Sequence, residues 1–375
     1  MDDASPHPTW LEIDLSAVAH NTRTMREISG VPLMAVVKSN AYGLGAVEIA
    51  RTVLAAGAGQ LAVARFNEAR ILRQAGINAP ILVFGMVTPP EVDEAIALGI
   101  TLTLHSFETK QMFSDRARAA NQILQAHLKV DTGFGRLGVL PDEAIALAQA
   151  CHDLGNLKID GIYSHLAMAD EAASNPITAL QIQRFRDVLK GLQAAGLRPR
   201  WAHLANSAGA FGIPESRFDL VRVGTALLGM KPFYFQPFPQ DLRRVISWKA
   251  QIASCRLLPA GWGVSYGHEY VTSGPEWIAT LPVGYGDGFR RLPGNQVLIE
   301  GTRAPVVGRV CNDMCMVRLP HRVASGSEVV IIGQLGNEEI TTDELIDRWH
   351  TSQADIVSTI NWRVPRIYLN PSNSI

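Results

Sequence analysis

Short apolar runs alternate with amphipathic stretches along the first part of the chain. Each run has the length of a buried strand, and the stretches between most of them have helical spacing. The runs are Leu33–Val37, Gln60–Ala64, Ile81–Gly85, Thr101–Ser106, Ala126–Asp131, Ile159–Leu166, Trp201–Ser207 and Leu220–Gly224, with helical patterns such as Phe66–Ala75, Glu91–Leu98, Asp142–Leu154 and Ile177–Ala195. Eight strands alternating with helices predict an α/β fold, a (β/α)8 barrel of the TIM type.

The pattern changes after Pro239. Alternating and β-branched stretches separated by glycine turns predict a C-terminal, mainly antiparallel β domain, with one helix near Thr342–His350 and a final strand near Arg366–Leu369. The stretches are Val245–Arg256, Trp277–Val283, Gln296–Glu300, Ala304–Val310 and Ser327–Gly333. Phe235–Pro239 has the composition of a linker, so the predicted domains are residues 1–239 and 240–375.

Composition excludes several classes of protein. The 375 residues are 47% hydrophobic and 18% charged, which allows a large core, and the net charge of −1 offers no basic surplus for nucleic acid or an anionic membrane. The N-terminal segment Met1–Pro8 lacks the basic and apolar regions of a signal peptide. Cys151, Cys255, Cys311 and Cys315 show no metal-site spacing, so we expect reduced thiols, no bound metal and a cytoplasmic location.

Polar residues stand where the predicted strands end. They are Lys38 after the first run, Lys129 and Asp131 at the fifth, His165 at the sixth, Asn206 and Ser207 at the seventh, and Arg222 and Gly224 at the eighth. Barrel enzymes build their active sites at this face, often with a phosphate site after strands seven and eight, where Ser207, Gly224 and Thr225 lie. A strand-end lysine is often a surface residue, but a buried one is costly unless it is neutralised, for example by an imine with an aldehyde cofactor.

The stretch Leu33–Gly45 resembles the pyridoxal-phosphate lysine motif of the alanine racemase family. Further stretches resemble that family in the same order: His127–Gly138, Tyr163–Ala167, Ala205–Ala208, Val221–Gly224, Val264–Gly267, Val283–Gly288, Val307–Asp313 and Arg363–Arg366. The resemblance covers nearly the whole chain. It implies pyridoxal 5'-phosphate as cofactor, a Schiff base at Lys38, and Tyr42 near the phosphate.

The resemblance also implies the catalytic residues of an L- and D-alanine racemase. Lys38 and Tyr266 would be the two opposed bases, as racemisation needs a proton removed from one face of Cα and returned to the other. Arg222 would face the pyridine nitrogen, oriented by His203, and Arg136 would bind the substrate carboxylate. Cations such as Arg136 and His165 are expected to lower the pKa of the Tyr266 phenol.

Further roles follow from the same resemblance. His165, Asn206, Ser207, Gly224 and Thr225 match positions around the cofactor. Lys129 matches a lysine that is carbamylated in many relatives; as a carbamate it would hold Arg136, and as a plain lysine it would repel it. Tyr285 and Asp313 would line the entrance, and the second domain of one subunit would complete the partner's site in a homodimer.

Four positions depart from the family pattern. Leu44 replaces a histidine, Leu228 a tyrosine, Asn312 a methionine and Ala354 a tyrosine beside the substrate methyl group. The last two changes leave room and a hydrogen-bonding group, which predicts relaxed specificity that includes serine. A serine or broad-spectrum racemase, a barrel-type pyridoxal-phosphate decarboxylase and a non-catalytic cofactor-binding protein remain as alternatives; Arg222, Tyr266 and the second domain favour the racemase.

Overall fold

The computed structural model describes residues 7–171, 175–233 and 238–370, and its contacts form two compact units. The barrel unit contains Ala17–Ala41 and Gly45–Arg243. The β unit contains the residues from Arg244 onward, the N-terminal residues as far as Ser16, and the tripeptide Tyr42–Leu44. Most of the predicted linker, residues 235–237, lies outside the described residues.

Eight parallel strands form the sheet of the barrel unit. From first to eighth they are Leu33–Val36, Gln60–Val63, Ile81–Val83, Thr101–Leu104, Leu124–Lys129, Leu157–Tyr163, Trp201–His203 and Val221–Val223. Each of the first six strands pairs with its successor, and the first strand also pairs with the eighth. The N–H groups of Asp219 and Arg222 donate to the carbonyls of Ala202 and Ala205, each at 3.0 Å, and join the remaining pair of edges. The predicted parallel barrel is confirmed.

One helix precedes the first strand of this unit, the others follow its strands, and these helices bury their apolar faces against the sheet. They are Leu15–Ser29, Ala46–Ala55, Phe66–Gln74, Pro89–Leu98, Phe107–Ala119, Ala144–Leu154, Pro176–Ala194 and Ser207–Gly212. Side-chain caps start several of them: Ser106 accepts the N–H of Thr109 at 3.1 Å, and Asn175 accepts that of Ile177 at 2.9 Å. Among the helices of the described ranges, none combines the length and apolar character needed to cross a bilayer.

The β unit is built on a ten-stranded sheet. In sheet order its strands are Ser254–Leu258, Glu276–Leu281, Cys315–Leu319, Thr302–Val307, Gln296–Ile299, Glu328–Leu335, Ile246–Gln251, Thr9–Asp14 and Arg366–Leu369, with Glu338–Ile340 pairing on Glu328–Leu335. Gly263–Val264 and Tyr270–Val271 form a separate hairpin, and Thr342–Trp349 and Gln353–Ser358 are helices. The predicted mainly antiparallel domain, its helix near Thr342–His350 and its final strand are confirmed, whereas the second helix, Gln353–Ser358, was not predicted.

The N-terminal strand Thr9–Asp14 belongs to this sheet. It pairs antiparallel with Ile246–Gln251 and parallel with Arg366–Leu369. The indole N–H of Trp248 donates to the Thr9 hydroxyl at 3.0 Å. The domain boundaries 1–239 and 240–375 stay a prediction, and the pairing places this strand with the β unit rather than with the barrel that follows it in the chain.

Candidate active site

Lys38 opens a left-handed turn at the end of the first barrel strand. Ser39, Asn40, Ala41 and Tyr42 all have φ between 53° and 55°. L-residues pay roughly 1–2 kcal/mol each for this conformation, and a run of four is rare. The backbone beside Lys38 is therefore held in a shape that local preference alone does not favour.

Two side chains stabilise this turn. Glu68 accepts the backbone N–H groups of Ser39 and Asn40, the second at 3.3 Å. The Asn40 side chain in turn accepts the N–H of Ala46 at 2.8 Å. Glu68 also caps its own helix, Phe66–Gln74, with its second oxygen. The sequence pattern indicated a break after Lys38, but it did not reveal Glu68 as the residue that holds the turn.

The charge state of Lys38 follows from this position. Burial lowers the pKa of its ammonium group, the nearby charge of Arg136 lowers it further, and Glu68 acts in the opposite direction. A lowered pKa increases the share of neutral amine, which is the nucleophilic form. Desolvation raises the pKa of the Tyr42 phenol, so this group stays protonated and able to donate.

Arg222 lies on the eighth barrel strand and is only 3% exposed. Its Nη1 donates to the ring Nδ1 and the carbonyl of His203, both at 2.9 Å. Its Nη2 donates to the carbonyls of Ser164 and Leu204 at 2.7 and 3.1 Å and lies 3.2 Å from Nδ1 of His165. Within the part of the chain that the structure describes, Nε donates to no protein acceptor. This remaining N–H fits an acceptor such as a pyridine nitrogen.

The histidines around Arg222 are neutral. Because Arg222 donates to Nδ1 of His203, the proton of that ring lies on Nε2, which donates to Nδ1 of His127 at 2.9 Å. Burial lowers the pKa of His127 to about 4 and that of His203 far below its usual value. Burial and the neighbouring cations do the same to His165. The prediction that His165 acts as a cation toward Tyr266 is wrong for this reason.

A set of hydrogen-bond donors converges after the seventh and eighth strands. The Gly224 N–H and the Thr225 hydroxyl both donate to the Ser207 oxygen, at 3.2 and 3.1 Å. Asn206 caps the short helix Ser207–Gly212. Two hydroxyl groups and a backbone N–H thus lie close together, and such donors fit a phosphate group.

Lys129 ends the fifth strand and is buried. Its Nζ donates to the carbonyl of Val130 at 3.0 Å. Burial lowers the pKa of this amine to about 7, the charges of Arg222 and Arg136 act in the same direction, and Asp131 opposes them. The neutral amine is therefore far more accessible near neutral pH than it is for an exposed lysine.

The loop after Lys129 positions Arg136. Both carboxylate oxygens of Asp131 accept backbone N–H groups of residues 133–136, at 2.8 to 3.0 Å. The guanidinium of Arg136 lies 4.2 Å from the ring centroid of Phe134. The sequence pattern placed Asp131 at a strand end but not in this role. The signal was present, since an aspartate just before a glycine-rich loop commonly accepts that loop's N–H groups.

Tyr266, the second predicted base, belongs to the β unit. It begins the short turn Tyr266–His268 inside the hairpin of that unit, and its side chain is 64% exposed. Among the described residues its phenol has no hydrogen-bond partner. Ser265, directly before it, has φ 65° and ψ −171°. The direction of the Tyr266 side chain is thus set by the backbone of the turn and not by hydrogen bonds of its own.

The predicted entrance residues of the β unit form a charged cluster. Arg363 pairs with Asp313 at 2.8 Å and with the buried Asp287 at 2.6 Å. Asn312 donates its side-chain amide to Asp313 at 2.7 Å. Tyr285 is 48% exposed and lies two residues before Asp287. Arg363 stood in a recognised motif without an assigned role, and the cluster shows that it anchors Asp313.

The four departures from the family pattern occupy different environments. Leu44 and Leu228 are fully buried apolar residues. Ala354 is half-buried on the helix Gln353–Ser358, and Asn312 is exposed. The first two therefore pack in the interior of their units. Ala354 and Asn312 are accessible and can contact other groups.

The fold and these groups define a barrel-type pyridoxal-phosphate enzyme of fold type III. The family model for the alanine racemase N-terminal domain matches residues 13–232, and the model for the alanine racemase C-terminal domain matches residues 245–368. The chain belongs to the alanine racemase family. It is therefore an isomerase whose cofactor is pyridoxal 5'-phosphate, and the spare N–H of Arg222 and the donors around Ser207 fit that cofactor.

Individual relatives agree over nearly the full length. The chain is 44% identical to the alanine racemase of Symbiobacterium thermophilum over 98% of this chain and 99% of the relative. It is 41% identical to that of Halalkalibacterium halodurans, over 98% and 96%. Among solved structures, alanine racemase from Bacillus anthracis with bound L-Ala-P has a TM-score of 0.92 at 36% identity, covering 97% of this chain and 95% of that one. The enzyme from E. faecalis has a TM-score of 0.93 at 35% identity, covering 98% and 100%.

Proposed function

We propose that the chain racemises alanine by a two-base mechanism and accepts serine as a second substrate. Lys38 Nζ would take or return the Cα proton on one face of the substrate, and the Tyr266 phenol would do so on the other. When bound, the cofactor supplies a conjugated ring that takes up electron density as the proton leaves. The lowered pKa of Lys38 supports its role, because a neutral amine is the form that accepts a proton.

Arg222 favours racemisation over decarboxylation. Its guanidinium keeps its charge near neutral pH, since even the lowered pKa is about 10. Four acceptors fix its Nη groups and leave Nε to donate to the cofactor's ring nitrogen. A permanently protonated donor there keeps the ring nitrogen unprotonated. The ring is then a weaker electron sink, so return of a proton to Cα competes well with other reactions.

Arg136 would bind the substrate carboxylate. Its guanidinium is planar and offers paired N–H donors that match a carboxylate. The Asp131 loop fixes its backbone, and Phe134 supports its side chain at 4.2 Å. A carboxylate held in this way orients Cα toward the two bases.

The proposal includes a homodimer in which Tyr266 of one subunit serves the Lys38 site of the other. The β unit exposes several aromatic side chains, among them Tyr266, Tyr285 and Trp262. Exposed aromatic groups are enriched in surfaces that contact a partner. We place this enzyme in the cytoplasm, where its four free cysteines would stay reduced, and its product D-alanine would be a precursor of peptidoglycan.

Serine acceptance rests on Ala354 and Asn312. Ala354 is half-buried and short, and it stands at a position where the family resemblance implies a tyrosine ring. Asn312 is exposed and uses one amide hydrogen toward Asp313, which leaves hydrogen-bonding capacity for a hydroxymethyl group. Pockets discriminate poorly against extra atoms where room exists, because one methylene is worth only about 1–3 kcal/mol.

Ala354→Tyr should lower the ratio of serine to alanine turnover and leave alanine turnover largely intact. The restored ring would fill the space that serine needs, and the ratio should fall by about tenfold or more. Chiral chromatography across a panel of L-amino acids measures the ratio, and the same runs would reveal amines from a decarboxylase. Ala354→Ser, which adds little volume, is the matched control. A wild type inert to serine, with an unchanged ratio in Ala354→Tyr, would contradict the pocket argument.

Lys129 is the proposed site of a carbamate. Its pKa of about 7 supplies neutral amine, the form that attacks the carbon of carbon dioxide with loss of one N–H proton to water. The N–C bond formed leaves an anion in place of a cation. Because the charges of Arg222 and Arg136 both act on this amine, an anion there replaces repulsion with attraction.

Protein equilibrated with ¹³C-bicarbonate should show a carbamate carbon resonance that Lys129→Met abolishes. The signal should grow as pH rises through about 7, because the neutral amine increases in that direction. Loss of the anion should also raise KM for alanine by about tenfold, through a less ordered Arg136. Lys158→Met, at an exposed lysine paired with Asp160, is the control and should keep the resonance. Identical spectra for wild type and Lys129→Met would rule out the modification.

A further inference from the structure

The turn that displays Tyr266 has an unusual backbone. Ser265 has φ 65°, Gly267 has φ 72° and His268 has φ 47°. The Ser265 pair of angles, φ 65° and ψ −171°, lies in a region that is essentially restricted to glycine. A serine therefore holds a strained conformation in the position directly before Tyr266.

Contacts from Gly308 and Arg309 stabilise this conformation, and we call these two residues the clamp. The Ser265 hydroxyl donates to the carbonyl of Arg309 at 2.6 Å. The guanidinium of Arg309 pairs with Glu269 at the far end of the turn, with Nε 2.5 Å from the carboxylate. The clamp thus contacts the turn on both sides of Tyr266.

The turn packs closely against Gly308 of the clamp. A Cβ at Gly308 would lie 2.6 Å from the carbonyl oxygen of Val264 and 3.0 Å from Cβ of Ser265. The Cys311 thiol lies 3.5 Å from the Ser265 hydroxyl. Ser265 is therefore half-buried and in contact with the clamp, while Tyr266 is mostly exposed.

We infer that Ser265 is a positioning residue for Tyr266: its hydroxyl, bonded to the Arg309 carbonyl, holds the strained turn that aims the phenol. The inference rests on the proposed role of Tyr266 as a base. Because the phenol has no partner of its own among the described residues, the backbone of the turn sets its direction. Strained backbone persists where surrounding contacts over-determine it, and it concentrates at functional sites.

Ser265→Ala and Ser265→Gly test the inference. Both remove the bond to Arg309, and only the alanine keeps a Cβ at the unfavourable φ. We expect kcat for alanine to fall by roughly 10- to 100-fold in Ser265→Ala, as for small misplacements of a reacting group, and by less in Ser265→Gly. KM and the visible absorption of the bound cofactor should not change. Exchange of the Cα hydrogen with solvent deuterium should fall for one enantiomer and persist for the other.

Two further variants separate the possible outcomes. Ser273→Ala removes a serine hydrogen bond to Glu276 elsewhere in the β unit and should behave as wild type. Tyr266→Phe reports on the base itself. If Tyr266→Phe makes exchange selective for one enantiomer but neither Ser265 variant does, the positioning role is refuted and the base assignment stands. If Tyr266→Phe leaves exchange of both enantiomers unchanged, the proposed function fails first, and this inference fails with it.

Discussion

Tyr266→Phe is expected to lower alanine turnover by about 10²- to 10⁴-fold, the usual cost of losing a general base. The change removes only the phenolic oxygen and keeps the ring that the turn displays. Both directions should slow together, because the equilibrium between two enantiomers is fixed by the substrates. Chiral chromatography of reactions started from either enantiomer measures the effect.

Deuterium exchange identifies the face that is lost. Lys38 should still exchange the Cα hydrogen of the enantiomer that faces it, whereas exchange of the other enantiomer should fall with turnover. Tyr270→Phe is the matched control, since this tyrosine lies in the same hairpin and bonds to Glu276. Equal exchange of both enantiomers in Tyr266→Phe, at wild-type rates, would exclude Tyr266 as a base.

The barrel could be predicted because buried parallel strands are nearly continuous apolar runs. Each of the eight runs overlaps an observed strand, and the differences lie at the ends. The run Trp201–Ser207, for example, contains a strand only as far as His203. Asn206 and Ser207 lie beyond it: the Asn206 side chain accepts the N–H of Gly209 in the following helix, and the Ser207 hydroxyl oxygen accepts the N–H of Gly224 in a neighbouring loop. The polar residues that ended each run thus lie at the edge of the sheet where we propose the active site.

The left-handed turn after Lys38 could not be predicted. Four consecutive L-residues with positive φ oppose local preference, so no short-range pattern favours them. The turn depends on Glu68, which lies 29 residues after Ser39 and reaches it only in the folded barrel. The N-terminal strand Thr9–Asp14 was missed for a related reason, since its pairing partners lie at the other end of the chain.

The charge states of the site residues were the feature that the sequence predicted least well. His165 was expected to carry a positive charge, yet its burial near Arg222, Arg136 and Lys129 keeps it neutral. The same surroundings lower the pKa of Lys129 to about 7. A sequence shows which groups titrate, but the depth of burial and the neighbouring charges decide in which form they act.

Mixing two inactive variants should restore activity. Lys38→Ala removes the amine that we propose binds the cofactor covalently and should abolish turnover, while Tyr266→Phe should retain only a residual rate. If each site takes Lys38 from one subunit and Tyr266 from its partner, a mixed dimer has one intact site and one with both defects. Random exchange of subunits makes half of the dimers mixed, so about one quarter of wild-type activity should return.

The size of this recovery separates shared sites from sites contained in one subunit. If both residues of a site came from one chain, every site in a mixed dimer would carry one defect, and mixing would restore nothing. Subunit exchange must be demonstrated independently, by native mass spectrometry of isotope-labelled and unlabelled protein. Absorbance of bound cofactor gives a second measure, because it should follow the share of subunits with Lys38 whatever the origin of Tyr266. Full exchange with no return of turnover would contradict the shared site, whereas loss of cofactor absorbance in Lys38→Ala would still support the lysine assignment on its own.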